Sequence, residues 1–152
     1  MQTRGIVVGH GLDVIGLDDF SRLLKPPANH YLDRHFTKAE LADVGGGARQ
    51  LERLAGRFAV KEAVLKALGV GWGDGIAFTD VEVSTLQSGA PAVALKRQLL
   101  ALAQSRAISG WHVSVSHTSA VVVASVIAVS SMQLPTEPNR STQDNLLVES
   151  AP

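Results

Sequence analysis

The sequence predicts an α+β domain, a largely antiparallel sheet with a long helix packed on one face. Three observations carry that expectation. Apolar stretches of strand length at 6–15, 76–83, 92–95, 111–115 and 121–129 come in runs between a few helical segments, without the regular alternation of a parallel sheet. Residues 51–68 hold no proline and no glycine cluster and are rich in good helix formers. The last two apolar stretches flank a short polar turn at 118–120, the pattern of a closing hairpin.

Each element has a local reason. In 6–15, Val, Ile and Leu are interrupted by Gly9 and Gly11, which suits a buried strand approached closely by another backbone. Asp18 or Asp19 can cap a short helix carrying Phe20, Leu23 and Leu24, and Pro26 with Pro27 stops it. Tyr31 to Val44 predicts one short helix, with Thr37 and Glu40 spaced as a capping box, before Gly45, Gly46 and Gly47 break the chain. Gly69 ends the long helix of 51–68. A glycine-rich turn, Gly69 to Gly75, leads into the strands 76–83 and 92–95, joined across Gln87-Ser88-Gly89. Lys96 to Ala107 predicts another helix. Residues 1–130 therefore read as one domain, and 131–152, polar and proline-bearing, as a disordered tail.

Composition narrows the function. The 14 Lys and Arg balance 14 Asp and Glu, so no net field draws the chain to nucleic acid or an anionic membrane. With no cysteine there is no disulfide framework, thiolate nucleophile or zinc–thiolate site. No long apolar run marks a secretory signal or a membrane span, and a cytoplasmic location is expected.

Two carboxylates stand where apolar residues belong. On a helical wheel with Leu51 at the origin, Leu54, Ala55, Phe58 and Leu65 form a stripe, and Glu62 falls inside it at about 20°. Lys66 lies one turn on, so a structural i,i+4 pair is one reading; a metal ligand beside a phosphate-binding lysine is the other. On the first strand, alternation puts Asp13 on the side of Gly9, Gly11 and Ile15. Two such carboxylates without cysteine or a histidine cluster suit a hard cation such as Mg²⁺, completed by water and substrate phosphate. Residues 22–66 hold nine Lys and Arg against five Asp and Glu, a local excess of +4 in a neutral chain. Arg49, Arg53, Arg57, Lys61 and Lys66 recur every four or five residues there and can line one flank of the helix, as an anion site or an ordinary solvated face. The alternating glycines at 69, 71, 73 and 75 can bring backbone amides to a phosphate. In His112 to Thr118 one strand face is polar; if it borders the site, His117 and Thr118 can bond a phosphate with Ser114 or Ser116 in support. His30 and His35 read as surface residues.

Three segments together carry a resemblance: Gly11-Leu12-Asp13, the run Phe58-Ala59-Val60-Lys61-Glu62-Ala63-Val64-Leu65-Lys66, and Ser114 to Thr118. In order and spacing, residues 5–129 resemble the holo-acyl-carrier-protein synthases, the short single-domain members of the 4′-phosphopantetheinyl transferase superfamily. The resemblance implies that superfamily's fold and the transfer of 4′-phosphopantetheine from coenzyme A to a serine of apo-acyl carrier protein, for fatty acid biosynthesis. It implies that Asp13 and Glu62 bind Mg²⁺, that Lys66 neutralises the pyrophosphate, and that Arg49, Arg57, His117 and Thr118 lie near the nucleotide and its 3′-phosphate. Lys61 is a further expected phosphate contact. The serine proton goes to a metal-bound water or to Glu62. Larger members often carry a second acidic residue two positions after the first; here Ile15 stands there, which implies two protein carboxylates. The short members are trimers with sites between subunits, and Val60 and Val64, opposite the helix's core stripe, fit a homotrimer. Asp19 stands where the family usually has an arginine facing the carrier protein, leaving Arg22 and Lys25 to take that contact. The alternative from another class is a noncatalytic coenzyme A or nucleotide-binding module of the same fold.

Overall fold

A computed structural model describes residues 4–27 and 29–132 of the chain. Strand β1 (Arg4–Gly16) pairs antiparallel with β5 (Val121–Met132), which pairs antiparallel with β4 (Ile108–His117), in the order β1-β5-β4. A separate antiparallel hairpin joins β2 (Val81–Thr85) to β3 (Pro91–Leu95). Helices α1 (Leu17–Leu23), α2 (Asn29–His35) and α3 (Lys38–Val44) precede the long α4 (Gln50–Leu68), and α5 (Arg97–Ser105) leads into β4. The α+β class with antiparallel sheets is as expected. The assumed tail boundary is two residues too early, because Ser131 and Met132 continue β5; the rest of 131–152 lies outside the described residues. No helix among the described residues is long and apolar enough to cross a membrane.

Helix α4 runs between the two sheets, and that placement decides what each of its faces meets. Val122, Ala124, Val126 and Ala128 of β5 are buried on the α4 side, and Val81 and Val83 of β2 are buried with the same helix. Val60 and Val64 are fully buried in this core, so their expected place at a subunit interface is corrected. A single apolar stripe could not foresee this, since a helix enclosed by two sheets buries residues all round.

The glycines of β1 have the predicted purpose. A Cβ on Gly9 would sit 2.2 Å from the Ala67 carbonyl oxygen, and one on Gly11 would sit 1.8 Å from that of Ala63. Backbone thus meets backbone, and β1 lies against α4 closely enough to aim Asp13, the next residue on that side, at the helix. Gly11→Ala is expected to cost at least about 1–3 kcal/mol through overpacking. Gly46→Ala, with nothing within 4 Å of the new carbon, serves as the neutral control; comparing urea midpoints of the two variants checks this.

Three local expectations change. The segment Tyr31 to Val44 forms two helices rather than one, because Thr37 caps α3: its Oγ1 accepts from Glu40 N at 3.1 Å and its N donates to Glu40 Oε2 at 2.7 Å. The strand expected from Ile76 begins at Val81, because Phe78–Asp80 forms a 3₁₀ turn. Asp80 Oδ2 accepts from Ala77 N at 2.9 Å, and Arg97 Nε holds Oδ1 at 2.6 Å. Helix α1 starts without a side-chain cap at Gly16; Asp18 and Asp19 lie in its first turn.

Candidate active site

Asp13 and Lys66 meet where β1 crosses α4, and Glu62 lies one helical turn before Lys66. Asp13 is largely buried, and its Oδ1 accepts from Lys66 Nζ at 2.8 Å. The same ammonium donates to the Leu12 carbonyl at 3.0 Å, so Lys66 turns to β1 rather than forming the i,i+4 pair with Glu62. Asp13 Oδ2 is buried without a hydrogen-bond partner among the described residues. An ionised oxygen left unpaired out of water is costly unless a cation or donor completes it. Glu62 is half-buried, and its Oε1 accepts from Trp72 Nε1 at 2.8 Å.

This chemistry fits a hard divalent cation. It comprises two carboxylates, one with a buried unpaired oxygen, and an ammonium already satisfying part of the negative charge. No cluster of three or more His, Cys, Asp or Glu exists among the described residues, so a cation here needs water or substrate oxygens to complete its shell, as Mg²⁺ usually does.

A second feature lies on the opposite flank of α4. Arg49, Glu52, Arg53 and Arg57, with His117 at the end of β4 and Ser84 and Thr85 of β2, line a cavity of about 250 Å³. Arg57 is almost fully buried; it pairs with Asp43 and donates to Thr85 Oγ1 at 3.1 Å, and its Nε is buried without a partner among the described residues. His117 Nδ1 lies 3.8 Å from Glu52 Oε2. Arg49, Arg57 and His117 are thus brought together, as expected of an anion site. Thr118 lies beside them in the chain but outside the cavity lining, its hydroxyl capping the β4–β5 turn by accepting from Ala120 N and Val121 N. Ser114 and Ser116 are exposed on the far face of the sheet, so they do not support His117 within one chain.

Lys61 departs from its expected role. It is fully buried, and its ammonium donates to Glu40 Oε2 and the Phe78 carbonyl at 2.9 Å each and to the Val81 carbonyl. All three of its protons are engaged inside the chain, which leaves none for a phosphate. Burial pushes its pKa below the ordinary lysine value, against the pull of Glu40. Glu40 in turn accepts from Val83 N at 2.9 Å, so one carboxylate joins α3, α4 and β2. Only its capping role had a sequence signal. Arg22 is exposed and bonded to Asp19 at 2.7 Å.

An aromatic group adjoins Glu62 through Trp72. Trp72 stacks on Phe78 with centroids 3.7 Å apart, and Phe78 also meets Phe58 and His35. His35 stacks on Tyr31 at 4.0 Å, so its reading as a surface residue is corrected, while His30 is exposed as expected. Burial, then the Glu62 charge, pushes the Tyr31 hydroxyl pKa up. Burial lowers the His35 pKa from 6.5 despite its 2.7 Å bond to the Tyr31 carbonyl, with Arg34 and Lys61 adding to the decrease. Below that ordinary value the unfolded chain takes up a proton that the folded one does not, so stability contributed here falls as pH drops from about 6.5 towards the folded value. His35→Phe is expected to flatten the change in urea midpoint between about pH 7.5 and 5.5.

Antiparallel sheets around one long helix, with Asp13, Glu62 and Lys66 on one flank and a cationic cavity on the other, define an α+β fold with a candidate site for phosphate chemistry. Residues 9–126 match the 4′-phosphopantetheinyl transferase superfamily. The holo-[acyl-carrier-protein] synthase of Solibacter usitatus is 34% identical over 122 residues, covering 80% of this chain and 98% of that relative. Among solved structures, the holo-[acyl-carrier-protein] synthase of Neisseria meningitidis superposes with a TM-score of 0.73 at 28% identity, covering 81% of this chain and 98% of that one. The holo-(acyl-carrier-protein) synthase of Bacillus anthracis, solved in complex with CoA (3′,5′-ADP), gives a TM-score of 0.67 at 32% identity, covering 82% of this chain and 97% of that one. The chain belongs to the 4′-phosphopantetheinyl transferase superfamily, and within it to the holo-[acyl-carrier-protein] synthases.

Proposed function

We propose that this chain transfers 4′-phosphopantetheine from coenzyme A to a serine of an apo-acyl carrier protein, releasing adenosine 3′,5′-bisphosphate, as a cytoplasmic enzyme of fatty acid biosynthesis. The observation that carries the reading is the buried Asp13 Oδ2, without a partner among the described residues, on a carboxylate whose Oδ1 pairs with Lys66. Mg²⁺ held by Asp13 and Glu62 would supply Lewis-acid charge neutralisation at the phosphate oxygens. Lys66, half-exposed, would exchange its bond to Asp13 for a pyrophosphate oxygen. In the reaction the serine Oγ–P bond forms, the bond from phosphorus to the leaving bisphosphate breaks, and the serine proton passes to a base. Among the described residues Glu62 accepts one hydrogen bond, on Oε1, leaving Oε2 to a cation or that proton.

Arg49, Arg57 and His117 would hold the nucleotide phosphates, whereas Thr118 has its N–H on the Val121 carbonyl and its hydroxyl on the turn amides. On α4 the wheel positions of Arg53 and Arg57 lie roughly 140–180° from that of Glu62, so within one chain the cavity and the carboxylates face opposite ways. A homotrimer, in which one copy's carboxylates meet the next copy's cavity, resolves this. The sheet face opposite α4 supports it: Leu12 and Val14 are 50% and 56% exposed there, in rows with Ser125 and Val123. Arg22 and Lys25 would face the acidic carrier, with Asp19 competing for Arg22.

Intact-mass spectrometry of an apo-acyl carrier protein incubated with the chain, coenzyme A and Mg²⁺ tests this. A phosphopantetheine-sized gain that disappears with a chelator is expected. No gain from several carriers, despite coenzyme A binding, would replace the transferase with a noncatalytic binding module.

A further inference from the structure

The glycine-rich turn after α4 does something other than present backbone amides. Gly69 ends α4 in the left-handed region at φ +65°, and Gly73 at φ +116° folds the turn back onto Ile76. Between them Trp72 is carried over the half-buried Glu62, and its indole N–H meets Oε1 at 2.8 Å. The ring is pinned from behind. It stacks nearly parallel on Phe78, 21° between planes, and the Phe78 carbonyl is itself held by the buried Lys61 ammonium at 2.9 Å. Phe58, one helical turn before Glu62, stacks on the same Phe78 at 5.3 Å.

The geometry points to Trp72 as a positioning residue for the cation site, an inference that rests on the metal reading above. A free carboxylate rotates about its terminal torsion and offers either oxygen, or both, to a cation. The indole N–H takes one oxygen and fixes the carboxylate plane, so Glu62 presents Oε2 alone, and its rotational freedom is already lost before a cation arrives. Donors of this kind behind a metal ligand set its orientation and so its affinity. Lys61, expected to touch phosphate directly, acts here at one remove, by holding the 3₁₀ turn on which the indole rests.

The test uses the full-length chain and Mg²⁺ alone, without coenzyme A. Trp72→Phe keeps a ring on Phe78 but loses the N–H, and its Mg²⁺ dissociation constant is expected to rise about 10-fold. Its kcat is expected to fall further than its KM for coenzyme A rises. As a second readout in the unmutated protein, the Trp72 indole N–H resonance is expected to shift on Mg²⁺ titration, while the same resonance in Glu62→Gln stays still. Mg²⁺ affinity unchanged in Trp72→Phe but weakened in Glu62→Gln overturns the inference alone. An affinity unchanged in both variants overturns the metal reading, and this inference with it. A static indole resonance in the unmutated protein, at Mg²⁺ concentrations that saturate it, also overturns the inference, whether or not Trp72→Phe folds.

Discussion

Glu62→Gln is expected to lower transfer to the carrier protein by at least about 10²–10³-fold, the usual cost of removing a group that stabilises developing charge. The fold should survive. Glu62 is half-buried, and glutamine keeps an oxygen that can accept from the Trp72 indole, so the 2.8 Å contact has a replacement of the same shape. Removing a partly desolvated charge need not destabilise a domain. Thermal melts within a few degrees of the parent, alongside collapsed transfer rates read by intact mass, are the expected pair of results. A parent-like rate at saturating Mg²⁺ would remove Glu62 from the site.

The second large effect concerns stability. Lys61→Met is expected to destabilise the fold by about 3–5 kcal/mol, because it strips the cation from the fully buried Glu40 and leaves the Phe78 and Val81 carbonyls without their donor. Glu40 would still accept from Thr37 N and Val83 N, which keeps the loss from being larger. For a domain of this size each kcal/mol is worth roughly 2–4 °C, so the melting temperature should fall by about 6–20 °C. A phosphate-binding surface lysine would give a different result: an unchanged melt and a raised KM for coenzyme A. Those two measurements therefore decide between the buried strut and the expected phosphate contact.

Much of the candidate site was legible because its signals are local. Asp13 interrupts an apolar strand, and Glu62 interrupts an apolar helical stripe; each is a misfit visible within a few residues. Gly9 and Gly11 announced a close backbone approach, and the distances to the Ala67 and Ala63 carbonyls are its cause. The Thr37–Glu40 box marked a helix start correctly, yet the same carboxylate's bond to Lys61, 21 residues away, had no local trace. Trp72 and Glu62 are 10 residues apart and meet only because the glycine turn reverses the chain.

What the sequence determined by itself is what short-range periodicity and backbone preference encode: the long helix, its αL stop at Gly69, the closing hairpin and the antiparallel class. Asp13, Glu62 and Lys66 as candidate residues came from the same local signals. Tertiary structure alone decided the rest. Enclosing α4 between two sheets buried Val60 and Val64 on the side the wheel had left open, turned Lys61 into an internal strut, and set the carboxylates and the cationic cavity on opposite flanks. The physical reason is that burial is a property of what packs against a residue. A side chain's periodicity says which way it points, and only the partner element says whether water, a core or a ligand lies there.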